Sequence, residues 1–269
     1  MMSSFILITT FVLLALGVAA YLIFKKRKAA RPVPTQALNP GYKTLLQQHV
    51  GYYQKLTAPN QQRFESLVAD FITNVRIEGV GLEVSDLDRV LVAASAVIPI
   101  FGYQEWRYTN LTNVILYPDT FNNDFQFEGD SRNIMGMVGS GYMNGQMLLS
   151  RAALHKGFSS QSGKQNTGIH EFVHLLDKSD GATDGVPEYL LAHEYAKPWL
   201  QMMHQEISRI ERGHSDIDPY AATNEAEFLA VVAEYFFEKP EQLQQKHPEL
   251  YAQLSRLFAQ NPAVEGEIK

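Results

Sequence analysis

The sequence predicts an α+β domain, with helices stacked on one small sheet and a single membrane-spanning helix in front of it. Three observations carry this. Residues 5–24 are apolar and uncharged. Helical spacing of apolar residues rules from Asn60 to Gly102 and returns after Gly168. Between them, from about residue 113 to 150, apolar residues fall in short runs broken by Gly, Asn and Asp. Helices, then strands, then helices give a layered α+β arrangement.

The amino-terminal run, FILITTFVLLALGVAAYLIF, would form about 30 Å of helix, the thickness of a bilayer's hydrocarbon core. It ends at Lys25, Lys26, Arg27 and Lys28, while the short tail at residues 1–4 carries no Lys or Arg. A cleaved signal peptide would place its charge before a shorter apolar run. The expected reading is therefore an anchor in the cytoplasmic membrane over 5–24, with the rest of the chain on the cytoplasmic side. Residues 25–40 are basic and then proline-containing, as in an extended linker. The globular domain is expected over 41–269.

Composition limits the chemistry. Hydrophobic residues make up 45% of the chain, enough for a packed core, and there is no cysteine. Disulfides, Cys-ligated metals and a Cys nucleophile are excluded, so a metal site must use His, Asp and Glu. The 23 basic residues, four of them at 25–28, face 29 acidic ones. No basic stripe remains for nucleic acid, which is not an expected partner.

Within the domain, Phe64, Leu67, Val68, Phe71, Ile72 and Val75 mark one amphipathic helix. Ser85 is a plausible N-cap for a second, with Leu87, Val90, Leu91, Ala94, Val97 and Ile98 on its apolar side and Gly102 at its end. The segments NVILYP, IMGMVG and QMLLS read as strands. Gln146 to Ser150, just before the later helices, is expected to be an edge strand that binds extended peptide. HEFVHLLD, the long stretch from Pro187 to Ile210, EAEFLAVVAEYFF and PELYAQLSRLFA read as four helices.

HEFVH carries the chemistry. His170 and His174 are one helical turn apart, so both imidazoles can meet one ion. Glu171 lies about 100° further round, where it can reach a water on that ion without ligating it. Zinc in such a site takes three protein ligands and leaves a fourth position for water. Phe172, Val173, Leu175 and Leu176 wrap the polar triplet in apolar residues. The similar His193–Glu194 pair lacks a second histidine and reads as surface helix. For the third ligand, the apolar helix after Asn224 offers Glu225, Glu227 and Glu234. Glu227 and Glu234 share a face, where a buried carboxylate needs a metal or a partner. Glu225 suits a solvated first turn.

HEFVHLLD, a Gly-rich loop ending in GVP, then IDPYAATNEAEF and EYFF, in that order, resemble the MtfA family of zinc peptidases, described as anti-repressors of the glucose-phosphotransferase regulator Mlc. That family is similar to the catalytic core of anthrax lethal factor, a gluzincin fold. The resemblance implies Zn²⁺ on His170, His174 and Glu227, with Glu171 as base. It implies that Tyr220 stabilises the oxyanion, and Asp177 matches the aspartate of the family's HExxHxLD; from its place on the helix face, Glu234 is expected, with Asp177, to support the site from behind. It further implies a peptide or protein substrate, an aminopeptidase activity, or instead a regulatory module that sequesters a transcriptional repressor of sugar uptake. Two features depart from the family: the anchor, and the loop from Ser159 to Asn166.

Overall fold

The computed structural model describes residues 37–264, apart from 105, 128–131, 140–142, 188, 189, 191 and 192. The expected anchor and nearly all of the expected linker fall outside the described residues. Among the described residues no helix is long and apolar enough to cross a membrane.

The chain enters through helices α1 (Pro40–His49), α2 (Gly51–Gln54) and α3 (Ala58–Asn74). Strand β1 (Arg76–Gly79) leads to α4 (Asp86–Ile100), followed by β2 (Asn113–Tyr117), β3 (Gly136–Val138) and β4 (Gln146–Ser150). Helices α5 (Arg151–Gly157), α6 (Thr167–Asp177), α7 (His193–Glu211), α8 (Glu225–Glu238), α9 (Pro240–Lys246) and α10 (Pro248–Leu257) complete the order. A 3₁₀ turn at Pro219–Ala222 precedes α8. The α+β class matches the sequence pattern, but β1 lies between α3 and α4, inside the stretch read as helical, so the order is not simply helices, strands, helices.

Local chemistry explains the boundaries. Ser85 and Asp88 form a full capping box at the start of α4. Asn166 caps α6 by accepting from Ile169 N at 3.2 Å, and Asn224 caps α8 by accepting from Glu227 N at 2.9 Å. From Phe228 to Phe237 every residue of α8 is buried, so this helix is apolar on all sides and runs through the core. The one carboxylate within that stretch, Glu234, is forced inward.

The sheet order is β1-β2-β4-β3. β1, β2 and β4 are parallel, and β3 is antiparallel to β4. This corrects the expectation for Gln146–Ser150. That strand is paired on both sides and four of its five residues are buried, so its backbone has no edge to offer. The unbroken apolar run in QMLLS marks an interior parallel strand. The edge beside α6 is β3. Its neighbours Ser150 N and Gly139 N bond Met135 O and Gln146 O. By antiparallel alternation Met137 also faces β4, and the N–H and C=O groups of Gly136 and Val138 point away from the sheet.

The long helix expected from Pro187 begins six residues later, at His193. Leu190 N closes a turn on Pro187 O at 2.9 Å, and Trp199 Nε1 holds Gly185 O at 2.7 Å. The GVP segment is thus tied to the side of α7 rather than continued as helix. His193 and Glu194 do lie on α7.

Candidate metal centre

Helices α6 and α8 pack together and bring three side chains to one point. His170 Nε2 lies 3.1 Å from His174 Nε2. Glu227 Oε2 lies 3.0 Å from His170 Nε2 and 3.4 Å from His174 Nε2. Among the described residues these three form the group able to hold a metal ion. The 3.0–3.4 Å spacing is a little tighter than the roughly 3.3–3.6 Å between ligand atoms about 2.0–2.2 Å from a tetrahedral ion, so a small opening of the three side chains would seat one. Without a metal ion, only protons on the imidazoles could supply the positive charge that the carboxylate faces. An N₂O donor set fits a small divalent ion of borderline softness.

The charge balance makes the same point. Glu171, Glu227 and Glu234 crowd His170. Burial presses the His170 imidazolium down, yet the carboxylates of Glu227 and Glu234 outweigh it and hold the group up to about 10. Burial works against the Glu227 carboxylate, but hydrogen bonds from His170 and His174 bring it well below the usual range. The pocket is built around positive charge.

Behind the ligands, Glu234 Oε1 takes His170 Nδ1 at 2.8 Å. That bond fixes the tautomer, with the proton on Nδ1 and the Nε2 lone pair toward the ligand cluster. The other oxygen of Glu234 accepts from the backbone N–H of Asn166. Asn166 is fully buried, and it was not legible as a site residue beyond its place before the helix.

Glu171 stands on the same turn, 6% exposed. Burial raises its carboxyl above the ordinary value although His170 and His174 pull it down. It lies against Gly136 of β3. Tyr220, on the 3₁₀ turn, is half exposed, and its ring lies 6.2 Å from the His170 ring, tilted by 33°. Asp177 does not reach the cluster through a hydrogen bond. Its Oδ2 accepts from Gly185 N at 2.8 Å, and Gly185, at φ +74°, presses on the Glu225 carbonyl where no Cβ would fit. Asp177 therefore ties the GVP loop to the end of α6. Glu225 is solvated at the start of α8, 3.4 Å from the exposed His204.

A cleft of about 740 Å³ opens in front of the cluster, between Asn133–Gly136 on one side and Lys164, Gln165 and Asp216–Tyr220 on another. Asp216 anchors the second wall. Its side chain takes Lys164 at 2.6 Å, Lys246 at 2.8 Å, His247 at 2.7 Å and the Tyr235 hydroxyl at 3.0 Å. The loop from Ser159 to Asn166 is thereby pinned to the segment that carries Tyr220.

Residues 24–259 match the family described as glucose-regulated metallo-peptidase M90. An uncharacterized protein of Synechocystis sp., slr2042, is 28% identical over 251 residues, covering 89% of each chain. Mlc titration factor A of Escherichia fergusonii is 29% identical over 227 residues, 78% of this chain and 82% of that protein. Mlc titration factor A of Klebsiella pneumoniae (strain 342) is 28% identical over 225 residues, with 77% and 82% covered.

Proposed function

This chain belongs to the glucose-regulated metallo-peptidase family, and on that premise we propose that it hydrolyses peptide bonds at a zinc site formed by His170, His174 and Glu227. The observation that carries the reading is the convergence of those three donors beside a buried, unligated Glu171. Zinc, when bound, supplies a Lewis acid for the carbonyl and lowers the pKa of a water to about 7. Glu171 takes the proton of the attacking water and returns it to the leaving amine; its raised carboxyl suits both tasks. Tyr220 donates its phenol proton to the developing oxyanion. Its pKa is raised by burial and by Glu227, so it remains a donor at neutral pH. The outer edge of β3, unpaired at Gly136 and Val138 among the described residues, aligns an extended substrate.

The uncharged run at 5–24 and the basic residues after it support a single membrane anchor with the catalytic domain facing the cytoplasm. A second reading rests on the name of the relatives, Mlc titration factor A: binding of a transcriptional repressor, with hydrolysis secondary or absent. Peptide hydrolysis by full-length protein separates the two. Activity lost to a chelator and restored by zinc supports the peptidase. Repressor binding without hydrolysis of any library peptide supports the second reading. The cleavage positions in the same library distinguish aminopeptidase from endopeptidase action.

A further inference from the structure

The loop from Ser159 to Asn166 ends in three residues that each reach a different part of the site. Lys164 Nζ donates to both the backbone oxygen and Oδ2 of Asp216, each at 2.6 Å, and lies 4.0 Å from the centre of the Tyr235 ring. Gln165 Nε2 donates to Asp218 Oδ2 at 3.1 Å. The backbone N–H of Asn166 donates to Glu234, the carboxylate that holds His170. Both Lys164 and Gln165 line the catalytic cleft, and the hydrolytic steps give neither a task.

Tyr220 needs outside support. Its side chain is half exposed, so packing around the ring does not hold its direction. Its backbone N–H donates to Asp218 Oδ1 at 3.0 Å. The two oxygens of one carboxylate therefore join Gln165 to the residue that carries the phenol. Ile217 and Ala221, on either side, are buried. Their burial seats the segment, but an apolar contact has no direction. The hydrogen bonds at Asp218 do have one, and they orient the turn. Lys164 adds a second tie two residues earlier, at Asp216, where Lys246, His247 and Tyr235 also converge.

Resting on the reading of Tyr220 as the oxyanion donor, we propose that Lys164 and Gln165 are positioning residues, which set the phenol against the reacting carbonyl through Asp216 and Asp218. The next residue, Asn166, holds Glu234 and through it His170. Three consecutive residues thus tie the oxyanion donor to the first metal ligand, and a reacting group held in this way keeps its geometry between turnovers.

The test is kcat, KM and zinc content of full-length protein carrying Gln165→Glu or Lys164→Met, each alone and combined with Tyr220→Phe. Gln165→Glu keeps the length of the side chain but sets a second carboxylate against Asp218. Its kcat should fall about 10–100-fold, the scale of a shift of up to about 1 Å in a reacting group, with KM and zinc content little changed. Adding Asp218→Asn restores a hydrogen bond of reversed polarity and keeps an acceptor for Tyr220 N, so most of kcat should return. In the Tyr220→Phe background neither Gln165→Glu nor Lys164→Met should lower kcat further, because groups acting through one residue do not add. Gln165 is exposed, so its variants decide the matter even if Lys164→Met folds poorly. A wild-type kcat in Gln165→Glu, no recovery with Asp218→Asn, or losses that multiply with that of Tyr220→Phe would overturn the proposal and leave the oxyanion reading standing. A wild-type kcat in Tyr220→Phe alone would remove that reading and the proposal with it.

Discussion

A Cβ atom on residue 136 would stand 2.5 Å from both Cγ and Oε1 of Glu171. The bare backbone of the edge strand and the proposed base therefore share one space. A side chain at 136 must move the carboxylate. Misplacement by about 1 Å can cost about 10²-fold in rate. Gly136→Ala should lower kcat by about that factor while zinc content stays near one per chain. A wild-type kcat with unchanged zinc would show that Glu171 does not act from this position.

Val138 offers the complementary test of substrate binding. Its N–H points away from β4, so proline there leaves the ladder intact. Loss of one hydrogen bond worth about 1 kcal/mol should raise KM about 5-fold with kcat little changed. Proline at Met137, which faces β4, should instead lower the melting temperature. If Val138→Pro leaves KM unchanged for every extended peptide, the edge is not the substrate's platform.

Tyr220 is 53% exposed, so its removal costs little packing. Tyr220→Phe should reduce kcat by about 10²–10³ with small effects on KM and melting temperature. A change in KM alone would make it a binding residue.

Asp216 gives a prediction in pH. Burial opposes its charge, but hydrogen bonds from Lys164, Lys246, His247 and Tyr235 hold its carboxyl far below the ordinary range. A depressed folded pKa gives stability that is fully present above the unfolded value of about 3.9 and is lost as pH falls below it. Asp216→Asn should cost about 1–3 kcal/mol at pH 7 by thermal or denaturant unfolding. The gap from wild type should close progressively below about pH 4. A gap that persists undiminished there would point to lost packing instead of charge.

How much of this was legible in the sequence follows from which interactions are local. The two histidines and Glu171 are fixed by the helical period within one short helix, and the caps at Ser85 and before Ile169 are fixed by neighbours in the chain. Glu227 was one of three candidates on α8, and its place depends on how α8 packs across α6. Glu234 becomes a partner of His170 for the same reason, since α8 is buried on all sides. The edge strand was misplaced because chain order says nothing of sheet order: β3 precedes β4 in sequence yet lies outside it. Asn166 and Asp216 gain their roles only through partners dozens of residues away. Asp216 did have a faint signal, an acidic residue beside the DPYAA segment.

The central claim separates a ligand from a base, and zinc stoichiometry measured with peptidase rate on Glu171→Gln and Glu227→Ala tests it most directly. Glu171→Gln keeps the size of the side chain but cannot take the proton. It should retain close to one zinc per chain while turnover falls about 10²–10⁴-fold. Glu227→Ala leaves two histidines, so zinc and activity should fall together. Peptide hydrolysis at the wild-type rate by zinc-loaded Glu171→Gln, or full zinc content in Glu227→Ala, would contradict the account.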